Sequence, residues 1–164
     1  MIEIEICSRQ EAGEILSSPS RRKNVVMLVS IGEAHDPAPA GFQNVKPRLR
    51  FLFADTNEEG GPTVDDVQRL IRTAESLAGR SGRVVIHCQA GISRSTAAAT
   101  IFHAVLLGEG REDEAIARVL AAREFAIPNR RMIRLADELL GREGKLVAAV
   151  EKAMGQATEE RVAQ

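Results

Sequence analysis

The sequence contains no tyrosine and no tryptophan, and its only aromatic residues are five phenylalanines among 164 positions. Its two cysteines are too few for a disulfide framework, which favours a reducing compartment. No apolar run is long enough to cross a bilayer, and the first residues do not resemble a signal peptide. The formal net charge of −1 gives no field that would attract nucleic acid or an anionic membrane. We therefore expect a cytoplasmic monomer with no nucleic-acid partner and no membrane partner.

The composition is that of an ordinary globular domain, with 44% hydrophobic and 27% charged residues. A chain of 164 residues is long enough to bury a substantial core, and no repeat or linker divides it. We expect residues 1–164 to form a single domain, in which the tail from about residue 155 is frayed.

The apolar pattern alternates between strand and helix spacing along the chain. It predicts strands at residues 2–6, 25–31 and 47–53, and a further strand that leads to Cys88. It predicts helices at residues 8–17, 63–78, 95–107 and 111–125. A last helix is predicted from Asn129 to about residue 140, with residues 144–154 as its extension. Strands joined through helices favour parallel pairing. The predicted fold is α/β, with a mainly parallel sheet of about four or five strands flanked by helices.

Residues 84–96, VVIHCQAGISRST, have the pattern of a buried strand, a tight loop and a helix. A loop between a strand and a helix N-terminus gathers backbone N–H groups and positive potential, so it is suited to bind an anion. Cys88 begins this loop and Arg94 ends it. Because N–H donors, a helix N-terminus and a guanidinium each stabilise a thiolate, we expect Cys88 to be ionised and nucleophilic at neutral pH.

The neighbours of Cys88 suggest supporting roles. The planar guanidinium of Arg94 can bind two oxygens of a tetrahedral or trigonal oxyanion at once. The hydroxyl of Ser95 can donate to the sulfur and stabilise it as a leaving group. We expect His87 to hold the loop through its ring nitrogens rather than to act as a base.

The pattern His87-Cys88-x5-Arg94-Ser95 resembles the signature loop of the cysteine-dependent protein tyrosine phosphatases, and its form HCxAGxSRS resembles the dual-specificity branch. The resemblance implies a dual-specificity-phosphatase-like fold, a phosphocysteine intermediate and an aspartate on an upstream loop as general acid. It also implies that Arg94 binds the phosphoryl group together with the rest of the loop, which is Gln89, Ala90, Gly91, Ile92 and Ser93. No metal and no other cofactor is implied. The competing interpretation is a buried cysteine at a strand end with an unrelated arginine.

The lack of tyrosine and tryptophan fits only the small branch of this superfamily. The large tyrosine phosphatases use a tyrosine-lined pocket and an acid loop that contains tryptophan, and this chain has neither residue. It is also too short for that class.

Asp55 is the best candidate for the general acid. It directly follows a buried strand, at the edge where a parallel sheet presents its ligands, and its separation from Cys88 is similar to that in the dual-specificity family. Asp65 and Asp66 belong to a first helical turn, where carboxylates complement the helix dipole. The pair Glu58–Glu59 lies in mid-loop without an anchoring strand. The alternative for Asp55 is a solvated loop aspartate.

These features predict hydrolysis of phosphate monoesters, with a phosphorylated protein or peptide as substrate. The interior of the loop contains no lysine, whereas similar lipid phosphatases often carry basic residues there, so a phosphoprotein is favoured over a lipid phosphate. Among phosphoproteins we expect phosphotyrosine before phosphoserine and phosphothreonine. The alternatives are a phosphoinositide or inositol phosphate phosphatase and a catalytically silent phosphate-binding module. A rhodanese-like or arsenate-reducing enzyme is a further alternative, but arsenate reduction usually needs additional thiols.

Three other features have both a structural and a functional interpretation. Cys7 is expected to be a small packed residue, with a redox partner of Cys88 as the alternative. The pair His35–Asp36 has no further ligand at metal-binding spacing, so we expect no metal there. The segment IPNRRMIRLAD resembles the Pro-Asn segment before the last helix of the same family. Its arginines are Arg130, Arg131 and Arg134, and we expect them to form a solvated face rather than to hold an acidic substrate.

Overall fold

The computed structural model describes residues 1–164, which form four strands and six α-helices. The strands are β1 (Ile2–Ser8), β2 (Val25–Gly32), β3 (Arg48–Leu52) and β4 (Gly82–Cys88). The helices are α1 (Arg9–Ser17), α2 (Val64–Ser76), α3 (Arg94–Leu107), α4 (Glu112–Ala122), α5 (Arg130–Leu140) and α6 (Lys145–Ala163), and a 3-10 turn covers Phe42–Asn44. No helix is both long and apolar enough to span a membrane.

The four strands form one parallel sheet in the order β1-β4-β2-β3. This confirms the predicted α/β class and the parallel sheet. Because the strands are parallel, their C-terminal ends meet at one edge, where Ser8 of β1 lies beside Cys88 and Ser30 of β2 lies beside His87. The predicted loop therefore starts at the edge where parallel sheets present functional residues.

Helices cover both faces of the sheet, which explains why β2 and β4 are apolar on both sides. One face packs against α2 to α6 in a cluster of 30 buried hydrophobic residues. The other face packs against α1 and the chain around Val45 in a cluster of seven. Helix α3 lies at the centre of the larger cluster, and its first nine residues, 94–102, are all buried. Its early turns are rich in alanine, so α3 can approach the sheet closely.

The helix starts follow the predicted capping residues. Ser8 caps α1 by accepting from the Glu11 N–H, and Asn129 caps α5 by accepting from the Met132 N–H. Thr63 and Asp66 form a reciprocal capping box at the start of α2. These local signals depend on residues three positions apart, so the sequence is sufficient to locate them.

The C-terminal helices differ from the prediction. The helix expected at 111–125 ends at Ala122, because the following residues run along the predicted loop and bond to it. Residues 144–154 do not extend the preceding helix, since Gly141 and Gly144 adopt positive φ values of 65° and 84° and separate α5 from α6. The Asp137 carboxylate accepts from backbone N–H groups in the first turn of α6 and at Gly144, which stabilises the new start.

The tail also differs from the expected frayed end, because α6 continues to Ala163. Its last turns consist mainly of alanine, glutamate, glutamine and arginine, which have good helix propensity. Arg161 lies over the ring of Phe125, with its guanidinium carbon 5.3 Å from the ring centroid. This contact joins the end of α6 to the segment between α4 and α5.

Candidate active site

The strand–loop–helix pattern brings Cys88, Arg94 and Ser95 into one buried site. Strand β4 ends at Cys88, residues 89–93 form the loop, and α3 begins at Arg94. The exposed fraction is 3% for Cys88 and 5% for Arg94, and Ser95 is fully buried. The candidate nucleophile and the candidate anion-binding cation therefore lie at the base of the same site.

The backbone of this loop is oriented by hydrogen bonds from outside it. All five carbonyl oxygens of residues 89–93 accept a bond, from Arg9 N, Arg123 Nη2, Arg123 Nε, Ile127 N and Asn129 N, in that order. The N–H groups of the same residues donate to no protein oxygen. Since the carbonyls are held outward, the N–H groups are free to turn inward and form a nest for an anion.

Gly91 is required by the shape of this loop. Its φ of 71° lies in the left-handed region that favours glycine. A Cβ at this position would lie 2.7 Å from the carbonyl carbon of Cys7 and 2.6 Å from Nη2 of Arg123. A larger residue would therefore displace either β1 or the arginine that holds the loop.

The environment of Cys88 lowers the pKa of its thiol. Burial alone acts to raise this pKa, but hydrogen bonds to the sulfur outweigh that effect. The Ser95 hydroxyl lies 3.1 Å from Sγ, and the backbone N–H groups of Ser95, Gly91 and Ile92 also stabilise the thiolate. This direction of the pKa shift is the one that a nucleophilic cysteine needs.

The structure does not bring Cys7 and Cys88 together as a thiol pair. Cys7 packs in the smaller cluster under α1, whereas Cys88 belongs to the larger cluster on the opposite face of the sheet. Burial, followed by the charges of Glu5 and Glu11, raises the pKa of Cys7 to about 12. This geometry agrees with Cys7 as a packed residue.

His87 bonds to the backbone of the loop. Its Nδ1 lies 3.0 Å from the Cys88 carbonyl oxygen, and its Nε2 lies 2.6 Å from the Ser30 hydroxyl. Burial, together with the positive charges of Arg50, Arg9 and Arg94, lowers the pKa of His87 to about 4, although the bond to the Cys88 carbonyl opposes this shift. The ring is therefore neutral at physiological pH, which fits the expected holding role.

Arg94 is a buried cation without an anionic partner. Its Nη1 donates to the Phe53 carbonyl oxygen at 2.9 Å, and its buried Nε has no hydrogen-bond acceptor. No carboxylate forms an ion pair with it, although the structure contains seven other ion pairs. A buried charge without a partner is costly, so this guanidinium is suited to bind an anion that enters the loop.

Asp55 lies beside the loop, as the sequence predicts. One carboxylate oxygen, Oδ1, accepts from the Ser93 hydroxyl at 2.7 Å and from the Asn129 side-chain amide at 3.0 Å. The competing aspartates remain in the first turn of α2, where Asp66 is occupied by the capping box. Among the candidate acids, Asp55 is therefore the one bonded directly to the signature loop.

The sequence did not predict the contacts by which Arg123, Glu11 and Asn129 support the loop. Arg123 donates to the Ala90 and Gly91 carbonyls and pairs with Glu11, and Asn129 joins Asp55 to the loop as well as capping α5. A signal existed for Asn129 as a cap, but no local pattern connects Arg123 with Glu11.

The three arginines of α5 do not share one environment. Arg130 and Arg134 are exposed, as expected for a solvated face. Arg131 instead donates to the Pro62 carbonyl at 2.7 Å and to the Asn57 carbonyl at 3.2 Å. It therefore holds the loop that carries Asp55, and the prediction of a solvated residue is wrong for Arg131.

No protein-family model and no curated protein matches the chain. Solved structures do match it. Human DUSP28 is 22% identical, with a TM-score of 0.62 over 84% of this chain and 91% of that protein. DUSP15 is 24% identical, with a TM-score of 0.61 over 91% of this chain and 90% of that protein. PTPMT1 in complex with PI(5)P is 14% identical, with a TM-score of 0.58 over 96% of this chain and 94% of that protein.

The chain has the fold of the dual-specificity phosphatases. The match extends over most of this chain and of each solved structure. The resemblance first indicated by HCxAGxSRS is thereby confirmed at the level of the dual-specificity phosphatase fold.

Proposed function

We propose that this protein hydrolyses phosphate monoesters through a phosphocysteine intermediate on Cys88. The observation that carries this proposal is the buried guanidinium of Arg94, which has no carboxylate partner and lies in the same loop as a cysteine of lowered pKa. The backbone N–H groups of residues 89–93 bond to no protein oxygen and would add to the same positive site. The likeness to phosphatases in fold supports this interpretation.

In the first step the loop amides and Arg94 hold the phosphoryl oxygens, where negative charge must be stabilised. The Cys88 thiolate attacks phosphorus in line with the leaving group, so that an S–P bond forms while the P–O bond breaks. Asp55 gives its proton to the departing oxygen. Ser93 and Asn129 keep the Asp55 carboxyl beside the loop during this step.

In the second step water attacks phosphorus and the S–P bond breaks. Asp55, now ionised, accepts the proton from this water. The departing thiolate of Cys88 is stabilised by the Ser95 hydroxyl, which lies 3.1 Å from the sulfur. Inorganic phosphate is released and the starting thiolate is regenerated, so the cycle consumes no external thiol. Arg94 and the loop amides already supply the positive field, so the proposed mechanism requires no metal.

The substrate class that we propose is a phosphorylated protein or peptide, with phosphotyrosine preferred. Two exposed apolar side chains near the loop could pack against the aryl group of such a substrate. Ile92 is 38% exposed and Ile127 is 55% exposed, and their backbones are joined by a hydrogen bond of 2.8 Å. An apolar surface of this kind favours an aromatic ring over a small alkyl chain.

A phosphoinositide or inositol phosphate is the second candidate substrate. The structural neighbour PTPMT1 was solved in complex with PI(5)P. In this chain Arg9 and Arg50 lie close enough to the site to lower the pKa of His87, and neither forms an ion pair with a carboxylate. Because no carboxylate neutralises them, these positive charges would suit a substrate with more than one phosphate.

The variant Cys88→Ser distinguishes catalysis from phosphate binding without turnover. One structural neighbour with a TM-score of 0.63 is described only as a human tyrosine phosphatase-like interacting protein, so binding without turnover has to be tested. The wild type should release phosphate from a phosphotyrosine peptide without consuming thiol, and Cys88→Ser should bind that peptide without turnover. Cys7→Ser is the matched control and should retain activity. Turnover by Cys88→Ser within tenfold of the wild type would exclude the covalent mechanism.

Substrate class is decided by a parallel assay of phosphotyrosine, phosphoserine and phosphothreonine peptides, phosphoinositide vesicles and soluble inositol phosphates. We expect the highest kcat/KM for phosphotyrosine peptides. A higher value for the inositol substrates would support the second candidate instead.

We also propose a cytoplasmic monomer, which sedimentation of the purified protein and localisation of a tagged chain would test.

A further inference from the structure

Residues 54–62, between β3 and α2, form an exposed loop that carries Asp55 and is called the Asp55 loop below. Residues 57–60 are all exposed, and only Gly61 and Pro62 at the end of the loop are buried. The position of the loop therefore depends largely on hydrogen bonds from the rest of the protein. The residues outside the loop that donate these bonds are Ser93, Asn129 and Arg131.

Arg131 binds the Asp55 loop at two points. Its Nε donates to the Pro62 carbonyl oxygen at 2.7 Å, and its Nη1 donates to the Asn57 carbonyl oxygen at 3.2 Å. Its backbone N–H donates to the side-chain Oδ1 of Asn57 at 3.1 Å. The turn closed by the bond from the Gly61 N–H to the Glu58 carbonyl lies between these two points. Arg131 therefore holds both sides of this turn.

The stability of α5 does not explain an arginine at this position. Arg131 lies in the first turn of α5, where the helix dipole disfavours a positive charge. That turn contains no acidic residue, and no carboxylate forms an ion pair with Arg131. The contacts that the guanidinium does make are with the Asp55 loop, so the loop is the better explanation for its presence.

The bonds that Asp55 itself accepts depend on its charge. Ser93 and Asn129 both donate to Oδ1 of Asp55, and such bonds are stronger to a carboxylate than to a neutral carboxyl. A general acid must be protonated, so these bonds are weakest in the state in which Asp55 gives up its proton. The oxygens that accept from Arg131 belong to amide groups, which do not titrate. The hold of Arg131 on the loop is therefore the same whether Asp55 is protonated or ionised.

We propose that Arg131 is a positioning residue that keeps the Asp55 loop against the signature loop while Asp55 is protonated. Without the Arg131 guanidinium, the loop would leave this position more often, and the site would lose its proton donor but keep Cys88 and Arg94. The catalytic consequence rests on the proposed function, whereas the hold on the loop does not.

The variant Arg131→Met tests the catalytic consequence, since methionine keeps an apolar stem of similar length but has no side-chain donor. Arg134→Met is the matched control, because Arg134 is exposed on the same helix. We expect kcat/KM of Arg131→Met to fall roughly tenfold on a phosphotyrosine peptide and distinctly less on an activated aryl phosphate. In an Asp55→Asn background, Arg131→Met should cause no further loss, because both changes remove the same proton donor.

Hydrogen exchange of the loop amides tests the hold on the loop without relying on activity. The Ala54 and Gly61 N–H groups form bonds within the Asp55 loop, and their exchange should be roughly tenfold faster in Arg131→Met than in the wild type or Arg134→Met. The amides of β4 should be unaffected. If Arg131→Met fails to fold, Asn57→Ala replaces it, because Asn57 is exposed and its side-chain oxygen accepts from the Arg131 N–H.

The outcomes separate this inference from the proposed function. Unchanged exchange of the loop amides in Arg131→Met, or in Asn57→Ala where that variant is used, would overturn the hold on the loop whatever the activity. An unchanged kcat/KM, an equal loss on both substrates or a further loss in the Asp55→Asn background would overturn the positioning role. Faster exchange in a protein whose wild type releases no phosphate would support the hold on the loop and contradict the proposed function.

Discussion

Arg123 and Glu11 form a two-point ion pair behind the signature loop. Nη1 and Nη2 of Arg123 donate to the two carboxylate oxygens of Glu11 at 3.1 and 3.0 Å. The same guanidinium donates to the carbonyls of Ala90 and Gly91. Glu11 therefore fixes the cation that turns two loop carbonyls outward, and the ion pair supports the anion nest from its outer side.

Glu11→Gln should weaken this support. The bond to Arg123 lowers the pKa of Glu11. Burial acts to raise this pKa, and the hydrogen bond from Ser8 acts to lower it further. Because the pKa in the folded state is below the unfolded value, the stabilisation is present above the unfolded pKa and is lost as the pH falls through the folded pKa. The Glu11 side chain is 45% exposed, so we expect a loss of only about 0.2–1 kcal/mol at neutral pH.

Urea denaturation at neutral and at acidic pH measures this effect. The difference between Glu11→Gln and the wild type should disappear once the Glu11 carboxyl is protonated. Glu14→Gln is the control, because Glu14 pairs with Arg21 on the exposed surface at 3.5 Å. The variant Glu11→Gln should also raise the pKa for alkylation of Cys88, and an unchanged pKa would show that the ion pair does not influence the loop.

The two cysteines should differ strongly in their reactivity. Hydrogen bonds lower the pKa of Cys88, whereas burial raises the pKa of Cys7 to about 12. At neutral pH we expect iodoacetamide to modify the folded protein at Cys88 alone, and phosphate should slow this reaction. Mass spectrometry of the digested protein identifies the site, and Cys7→Ser should be modified at the wild-type rate. Preferential labelling of Cys7 would contradict the assignment of the reactive thiolate.

Sequence patterns were sufficient to predict the parts of the site that depend on local structure. The strand before Cys88, the loop and the helix after Arg94 are contiguous, so their spacing determines how these residues meet. Asp55 could also be placed, because it follows a strand whose end lies at the same edge of the parallel sheet. The parallel topology follows in the same way where an α-helix separates two strands, whereas the connection from β2 to β3 contains only a 3-10 turn.

The supporting contacts depended on tertiary packing that the sequence does not encode locally. Arg123 was expected inside a helix, but α4 ends at Ala122 and the residues that follow bind the loop. Its partner Glu11 lies near the other end of the chain, and nothing in the spacing of charges pairs the two. The boundary between α5 and α6 was missed although Gly141 and Gly144 are local stop signals, and only the cap from Asp137, which lies within the preceding helix, depends on packing.

A buried ion pair at the C-terminal end of α3 should be costly to break. Arg142 and Glu112 are both only 7% exposed, with 2.6 Å between Nη1 and Oε1, and Arg142 also donates to the Ala104 carbonyl. Removing one partner leaves an uncompensated buried charge, so Arg142→Met should destabilise the fold by about 3–5 kcal/mol. Arg111→Met removes only an exposed partner of Glu114 and is the control.

Chemical denaturation with a double-mutant cycle tests this pair. Arg142→Met combined with Glu112→Gln should be less destabilising than the sum of the single variants, because no unpaired charge remains. Strict additivity would show that the two side chains do not interact in solution. The kcat of folded Arg142→Met should stay close to that of the wild type, since this pair lies outside the signature loop.

Asp55→Asn should identify the general acid through its dependence on the leaving group. An ordinary phenoxide or alkoxide needs a proton as the P–O bond breaks, whereas an activated aryl leaving group needs it much less. General acid catalysis contributes about a hundredfold to ten-thousandfold. We expect a loss of that order on a phosphotyrosine peptide and a distinctly smaller loss on an activated aryl phosphate. Asparagine retains an oxygen that accepts from Ser93 and Asn129, so the loop should keep its position.

The pH–rate profile distinguishes a lost acid from a displaced loop. The alkaline limb of the wild-type profile should flatten in Asp55→Asn, because that limb reports deprotonation of the acid. Asp65→Asn is the matched control, since Asp65 lies in the first turn of α2, and it should retain both the alkaline limb and the wild-type ratio of the two substrates. If Asp65→Asn and not Asp55→Asn shows the dependence on the leaving group, the acid comes from α2. The hydrogen bond between Ser93 and Asp55 would then serve only to hold the loop.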